Sequence, residues 1–141
     1  MDKVEVAAGD ITLPKFGMTD AAYRSMCIEV DAVIHVAARL NLLDQYRKID
    51  RRGSQDPRTV NVIGALNVLS FAATGKTKHV LHCSSTLAST TMTEDLRLSE
   101  DWPQLDGFDS FPNHGYGMSK FVADGLMYEA TKRGIPIKVF R

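Results

Sequence analysis

Apolar runs typical of strands alternate with segments typical of helices. This order constrains the fold more than any other feature of the sequence. Short apolar runs predict strands at residues 4–8, 32–37, 79–83 and 135–140. Longer segments predict helices at about residues 19–30, 56–75 and 115–133. Because strands that alternate with helices pair in parallel through right-handed crossovers, we expect an α/β fold with a parallel sheet.

Residues with special backbone preferences mark the ends of these elements. Thr19 fits the N-cap of the first helix, and Pro57 suits the first position of the second helix. Gly75 and Gly134 end the second and third helices. The run Ala32–Ala37 is continuously apolar, which is typical of a strand buried on both faces of a parallel sheet.

Two irregular stretches interrupt this pattern. The polar stretch from Asp44 to Gln55 carries a cluster of charges and predicts an exposed loop. Residues 84–112 predict a long irregular segment, and loops of that length are usually functional or disordered.

The composition excludes several classes of protein. The 141 residues suffice for one domain, and 17 basic against 17 acidic residues give no net charge. A binder of nucleic acid or of a membrane surface through bulk positive charge is therefore excluded. The apolar runs are too short for a membrane helix, and Met1–Glu5 lacks the apolar region of a signal peptide. Cys27 and Cys83 imply no disulfide framework, so we expect a reducing, cytoplasmic location.

The strongest chemical signal is the pair Tyr116 and Lys120 at the start of the third helix. Residues four apart share one helical face. A lysine ammonium near a phenol lowers the pKa of the phenol, which makes a tyrosine usable as a proton donor near neutral pH. The alternative is structural: a half-buried tyrosine and an exposed lysine on an amphipathic helix.

Hydroxyl groups follow directly after the predicted strand 79–83, at Ser84, Ser85 and Thr86. Ligands bind at the carboxyl ends of parallel strands. A hydroxyl in this place could hold a substrate oxyanion beside the tyrosine. The alternative is a polar turn that caps the strand.

Two further positions have weaker signals. The small residues Ala37 and Ala38 after another strand would let a flat cofactor approach the backbone, while His35 before them is expected to be a core histidine. Asn61 lies inside a predicted helix, where asparagine is mildly unfavourable. Its side chain could simply bind neighbouring backbone or a water molecule.

Together these signals resemble the extended short-chain dehydrogenases/reductases, and within them the thioester reductase domains. Such domains end nonribosomal peptide and polyketide synthases and occur in carboxylic acid and aminoadipate reductases. The resemblance covers nearly the whole chain. It rests on residues 9–17, 30–41, 61–69, 75–78, 115–124 and 133–141, which include Gly-Asp-Ile-Thr-Leu-Pro, Val-Ile-His-Val-Ala-Ala and Gly-Tyr-Gly-Met-Ser-Lys.

The resemblance implies a Rossmann-type sheet and a set of site residues. Ser85 matches the catalytic Ser/Thr position, with Ser84 and Thr86 as alternatives in register. Tyr116 is the implied acid, and Lys120 would hold the nicotinamide ribose and lower the pKa of the tyrosine. Asn61 matches a helix asparagine that supports the lysine through water.

The implied cofactor is NADPH. Asp10 and Ile11 would flank its adenine, and Ala37 and Ala38 would line its path. The family transfers hydride to a thioester carbonyl, and the acyl group arrives on the phosphopantetheine arm of a carrier domain. It leaves as an aldehyde, sometimes as an alcohol.

The sequence departs from the family pattern in two places. No glycine-rich phosphate loop occurs, so we expect residues 1–141 to be a partial domain that begins at the third strand of the sheet and binds the cofactor weakly or not at all. Its first strand would lack a neighbour and the next would expose an apolar edge. In addition, Arg47–Gln55 is longer than usual, which affects the alignment of Asn61.

Other functions remain open at this point. A fatty acyl-CoA reductase differs mainly in regions that lie outside this chain. A sugar-nucleotide epimerase or dehydratase would usually carry a Tyr-Gly pair after the serine motif, where this chain has Leu87-Ala88-Ser89-Thr90. The missing phosphate loop favours a non-catalytic interaction module.

A metal site at His79, His82 and Cys83 is not expected. On a strand, His79 and His82 face opposite sides and cannot easily share an ion.

Overall fold

The computed structural model describes residues 3–46, 56–89, 95, 97–104 and 114–141. In these residues the strands are β1 (Ala32–His35), β2 (His79–Cys83) and β3 (Ile137–Phe140). The α-helices are α1 (Asp20–Glu29), α2 (Gly64–Ala73) and α3 (Gly115–Lys132). The strands pair in parallel in the order β1-β2-β3, with Ala32 opposite His79 and Val80 opposite Ile137. The predicted α/β fold with a parallel sheet is confirmed.

The helix ends follow the local chemistry of the sequence. Thr19 Oγ1 accepts a hydrogen bond from the Ala22 amide at 3.3 Å and so caps α1. His114 Nδ1 accepts one from the Gly117 amide at 2.9 Å and caps α3. Gly75 and Gly134, with φ of 73° and 88°, follow α2 and α3. The predicted ends of these helices are confirmed to within a few residues.

A π-helical turn, Arg58–Ile63, leads directly into α2. Such turns are rare and often occur at functional sites, because they re-aim the side chains of one helical turn. Asn61 lies within this turn and is buried.

All three helices pack on one face of the sheet. Val33, Val80 and Val139 point toward them from the three strands. The main core joins α2 and α3 over β2, through Ala65, Val68, Leu69, Ala72, Val80, Ala123, Met127 and Ala130. A second cluster joins α1 to α2 through Tyr23, Cys27 and Phe71.

The opposite face of the sheet is open in the described part of the chain. Ile34 of β1 is 71% exposed, and Phe140 of β3 is also exposed. The prediction that residues 32–37 form a strand buried on both faces is therefore wrong for this chain. The physical reason is that its three helices all lie on one side, so alternate strand residues have no covering layer.

The predicted strand at residues 4–8 is also absent. These residues are exposed and lie outside any paired strand, and Val6 is 90% exposed. A strand needs a partner for its backbone groups, and no neighbouring strand stands beside this segment in the described residues.

The two predicted irregular stretches lie partly outside the described residues. Residues 47–55 of the first are not described, so the expected loop there is untested. After β2 the chain forms a 3₁₀ turn at Thr86–Ala88. No helix in the described ranges has the length and apolar character needed to cross a bilayer.

Candidate functional site

Lys120 and Tyr116 lie one turn apart on α3, and both are buried. Lys120 is 3% exposed, and its Nζ donates a hydrogen bond to the Cys83 carbonyl at 2.8 Å, at the carboxyl end of β2. Burial lowers the pKa of Lys120, and the Asp124 carboxylate opposes this shift. The alternative of a half-buried tyrosine with an exposed lysine is therefore wrong.

The three candidate hydroxyls differ in their surroundings. Ser84 is buried, Ser85 is half-buried and Thr86 is exposed. Ser85 Oγ accepts a hydrogen bond from the Leu87 amide at 3.2 Å, which caps the 3₁₀ turn. The structural alternative, a polar cap after the strand, thus holds for Ser85 without excluding a catalytic use of its hydroxyl proton.

An open cleft of about 510 Å³ lies beside this turn. Thr86 lines it, together with Leu98, Trp102, Phe140 and Arg141. The cleft favours Thr86 as the alternative to Ser85, because Thr86 is the one of the three candidate residues that lines it. The cleft lining mixes apolar and polar residues.

Asn61 joins the segment after β1 to α3. Its Oδ1 accepts a hydrogen bond from the Arg39 amide at 2.7 Å, and its Nδ2 donates to the Arg39 carbonyl at 3.1 Å. Nδ2 also donates to Ser119 Oγ at 2.8 Å, next to Lys120 in the chain. Asn61 therefore fixes two backbone groups and α3, and its water-mediated support of Lys120 stays a prediction.

The residues predicted to contact the cofactor lie along β1. Ile11 and Ala37 line one open groove of about 440 Å³ beside this strand. Asp10 and Ala38 are exposed next to it in the chain. Asp10 Oδ1 accepts hydrogen bonds from the Thr12 amide and hydroxyl at 2.8 and 2.7 Å, which lower the pKa of Asp10.

A buried polar cluster that the sequence did not predict lies behind Lys120. It consists of His35, His82 and Asp124, and Arg141 closes it on the solvent side. The two imidazole rings lie 5.1 Å apart between centroids, and Arg141 Nε donates to Asp124 Oδ2 at 2.9 Å. Burial lowers the pKa of His35 to about 4 and that of His82 to about 3. His35 is a core residue, as expected, and the spacing of Lys120 and Asp124 was a signal available in the sequence.

Gly115 has a packing role that its place in the motif does not show. A Cβ at this position would collide with the Asp44 carbonyl oxygen and lie 2.7 Å from the Tyr46 amide nitrogen. The Gly115 amide donates to the Asp44 carbonyl at 3.2 Å, and the Asp44 carboxylate binds Arg39 Nε at 2.6 Å. The start of α3 is thus held against the loop that follows β1, and only glycine permits that contact.

His79 and His82 face opposite sides of β2, as predicted. His79 is exposed and His82 is buried. The described residues contain no group of three or more His, Cys, Asp or Glu side chains suited to a metal ion.

A parallel sheet with a buried Tyr–Lys pair and hydroxyls at a strand end is typical of Rossmann-type domains that bind a nicotinamide cofactor. Comparison with known families identifies the group. Residues 1–141 match the model of an NAD-binding family described as "Male sterility protein", and the chain belongs to this family.

Several curated proteins are similar to the chain. It is 31% identical over 146 residues to the nonribosomal peptide synthetase asaC of Aspergillus flavus. The aligned region covers 100% of this chain and 13% of that protein. It is 33% identical over 144 residues to the L-2-aminoadipate reductase of Saccharomyces cerevisiae, covering 94% of the chain and 10% of the relative. The chain therefore spans only a small part of these proteins.

Solved structures agree with this grouping. The terminal R domain of the myxalamid PKS-NRPS pathway matches with a TM-score of 0.75 and 28% identity, over 94% of this chain and 31% of that one. A thiolation-reductase di-domain from an archaeal nonribosomal peptide synthetase matches with a TM-score of 0.59 and 25% identity, over 94% and 26%. A UDP-glucuronic acid 4-epimerase from Bacillus cereus, at 21% identity and a TM-score of 0.57, over 87% and 35%, shares the fold alone.

Proposed function

We propose that this chain is part of a reductase that uses NADPH to release an acyl thioester from a carrier domain as an aldehyde or an alcohol. The observation that carries the proposal is the buried pair of Tyr116 and Lys120 on α3, of which Lys120 reaches the carboxyl end of β2. The relatives named above support the reaction class, and two of them are a reductase and a thiolation-reductase di-domain by name.

The residues at the site suit a nicotinamide cofactor. Lys120 Nζ makes one hydrogen bond among the described residues, so protons remain to donate to a ribose hydroxyl. Ile11 and Ala37 line the groove along which the adenine half would lie. When bound, NADPH supplies the hydride that reaches the carbonyl carbon of the substrate.

The side chains then have distinct tasks. Tyr116 donates a proton to the carbonyl oxygen as the hydride arrives, and the Lys120 cation stabilises the tyrosine oxygen that loses it. Ser85, or Thr86 in the alternative register, donates a hydrogen bond to the same oxygen. Asn61 keeps α3 and the segment after β1 in place. Collapse of the resulting hemithioacetal releases the aldehyde and the carrier thiol.

The partner is proposed to be a carrier domain with a phosphopantetheine arm. The thiolation-reductase di-domain and the peptide synthetase relatives support this choice. An acyl-CoA reductase is the nearest alternative, because coenzyme A presents the same thioester on a free carrier. Turnover with an acyl-CoA at the rate seen with an acyl-carrier domain would favour that alternative.

The catalytic proposal is tested with Tyr116→Phe in an extended form, in which residues 1–141 are part of a complete reductase domain like those of the relatives. We expect a loss of turnover of about 10²–10⁴-fold, because the proton donor is removed while the ring remains. The measurement is NADPH oxidation with an acyl-carrier substrate. Tyr128→Phe is the matched control, since Tyr128 lies on the same helix and stacks on Trp102 at 5.2 Å. Equal turnover by Tyr116→Phe and the wild type would contradict the proposed role.

The partial character of the domain is tested by calorimetry. We expect residues 1–141 alone to bind NADPH weakly or not at all and the extended form to bind it tightly, because the outer edge of β1 has no paired strand in the described residues. Binding by neither form would overturn the reductase proposal and favour an interaction module. We further expect a reducing, cytoplasmic location, on the basis of the cysteine count alone.

A further inference from the structure

We propose that Asn67 is a positioning residue, whose side-chain amide holds the loop of residues 10–17 in the shape that receives the adenine half of the cofactor. The inference deepens the proposed function and rests on it, because Asp10 and Ile11 are the residues proposed to flank that adenine. It starts from a helix residue that the reaction steps above leave unused.

Asn67 lies on α2 and is half-buried. Its Nδ2 donates hydrogen bonds to the Ile11 carbonyl at 2.8 Å and to the Leu13 carbonyl at 3.2 Å. A side-chain amide nitrogen has two protons to donate, so both are directed at the loop. The two carbonyl groups stand on either side of Thr12, and Asn67 therefore fixes the backbone on both sides of that residue.

The loop has a backbone conformation that needs support from outside. Lys15 and Phe16 have φ of 53° and 57°, although neither is a glycine. Such residues persist where the surrounding structure holds them in place. Inside the loop, the Asp10 amide donates to the Phe16 carbonyl at 2.9 Å and the Phe16 amide to the Leu13 carbonyl at 3.0 Å. These bonds close the loop on itself but do not fix its place against α2.

Apolar contacts also join the loop to α2. The Phe16 ring packs edge-on against the Phe71 ring, with 5.5 Å between the centroids. A Cβ at Gly64 would lie 2.7 Å from Ile11 Cδ1, so the Ile11 side chain packs directly on the helix backbone. Apolar burial is non-directional, whereas hydrogen bonds depend on angle. The two bonds of Asn67 therefore supply direction where the apolar contacts supply adhesion.

The position of this loop decides the shape of the groove proposed for the adenine half. Ile11 and Phe16 line that groove of about 440 Å³. Asp10 Oδ1 accepts both hydrogen bonds from Thr12, and Oδ2 is the carboxylate oxygen left to accept from the amino group of adenine. A loop released from Asn67 would move this oxygen and the Ile11 wall together. The nicotinamide half, near Lys120, would keep its surroundings.

The test measures cofactor binding by calorimetry and turnover in the extended form. Asn67→Asp keeps the size of the side chain, removes both donors and sets a carboxylate against two carbonyl oxygens. We expect the Kd of NADPH and that of adenosine 2′,5′-bisphosphate to rise about tenfold, as the loss of two hydrogen bonds implies. The KM for NADPH should rise equally, while kcat at saturating NADPH stays at the wild-type value.

Thr74→Val is the matched control. Thr74 is exposed at the other end of α2, and its Oγ1 donates to the Ser70 carbonyl at 2.7 Å, so the variant also removes a hydrogen bond from this helix. Its affinities should equal those of the wild type. If Asn67→Asp does not fold, Asn67→Ala decides, because alanine removes the donors, adds no charge and favours a helix.

Hydrogen exchange without cofactor gives a second readout. The Asp10 and Phe16 amides should exchange faster in Asn67→Asp than in Thr74→Val. Wild-type affinities in the Asn67 variants, or a fall in kcat as large as the rise in KM, would overturn the inference while the reductase proposal stands. A wild type that binds neither NADPH nor adenosine 2′,5′-bisphosphate would instead overturn the reductase proposal and the adenine role of the loop together.

Discussion

Two buried lysines stand at opposite ends of β2, and they differ in how completely their ammonium groups are bonded. Lys78 directly precedes the strand and is 0% exposed, while Lys120 reaches its last residue and is 3% exposed. Burial lowers the pKa of both. By burial alone the two residues are nearly the same.

Lys78 uses all three of its ammonium protons within the protein. Its Nζ donates to the carbonyl oxygens of Cys27, Thr74 and Lys76 at 3.0, 2.7 and 2.8 Å. Cys27 lies in the last turn of α1 and Thr74 caps α2, so the cation also meets the negative ends of two helix dipoles. It lies 4.7 Å from the centre of the Phe71 ring.

Lys120 makes one such bond in the described residues, to the Cys83 carbonyl. The difference shows how a lysine with a structural role can be told from one that is proposed to bind a ligand. An ammonium group that donates all three of its protons within the protein has no donor left for a ligand. An incompletely bonded ammonium keeps donors for a ligand, and this lowers the stability of the fold.

The largest expected effects come from replacing each lysine by methionine. Lys78→Met should lower the free energy of unfolding by about 4 kcal/mol, because the three carbonyl groups around the buried ammonium lose a charged donor. Lys120→Met should lower it by less than about 1 kcal/mol but abolish turnover in the assay used for Tyr116. Urea unfolding of both variants checks this. If both variants lost the same free energy of unfolding, the proposed difference between Lys78 and Lys120 would be wrong.

The next largest effect is a loss of folding stability at low pH, which arises from two histidines near the end of β2 that Lys120 contacts. The folded-state pKa values of His35 and His82, about 4 and about 3, lie below the usual 6.5. The unfolded chain therefore binds more protons below pH 6.5, and stability falls as the pH falls from 6.5 toward 4. The loss at pH 5 should be about 2 kcal/mol for each histidine.

Asp124 offsets part of that loss, since burial raises the pKa of its carboxyl and folding takes up a proton there. Denaturant unfolding at pH 7 and pH 5 measures the net result. His82→Gln should remove about half of the histidine contribution, whereas His79→Gln, at an exposed position of the same strand, should leave the pH dependence as it is. If the free energy of unfolding of His82→Gln changed between pH 7 and pH 5 as much as that of the wild type, the proposed contribution of His82 would be wrong.

The smallest expected effects come from replacing one glycine by alanine near each end of β2. At the Lys78 end, Gly75→Ala strains a residue with φ of 73° and brings a Cβ to 2.7 Å from the Cys27 carbonyl oxygen. It should cost about 1–2 kcal/mol of stability and leave turnover unchanged. At the Lys120 end, Gly115→Ala pushes the Asp44–Tyr46 backbone away and should also weaken NADPH binding in the extended form. Calorimetry and urea unfolding of both variants separate these outcomes.

Local patterns determined much of this fold in advance. The runs at 79–83 and 135–140, the caps at Thr19 and Gly134, and the helix spacing of Tyr116 and Lys120 depend on neighbours a few residues away. Such features can be predicted because they are properties of short segments. The family resemblance rests on the same local motifs, and the family assignment agrees with it.

Burial and bonding depend on contacts between distant segments, and here the predictions went wrong or were silent. The apolar runs at 4–8 and 32–37 indicate strands, but only the arrangement of the layers decides that the first is unpaired and that one face of the second is open. The role of Gly115 depends on Asp44, some seventy residues earlier. No local pattern contains that contact.

The two lysines show where the sequence stops being informative. Taken alone, the sequence determined that strands alternate with helices, that the sheet is parallel, and that Lys120 follows Tyr116 by one turn. Only the tertiary structure decided that Lys78 bonds carbonyl groups at the ends of two helices while Lys120 makes a single such bond in the described residues. The reason is physical: the partners of a buried charge come from segments far apart in the chain, and packing alone brings them together.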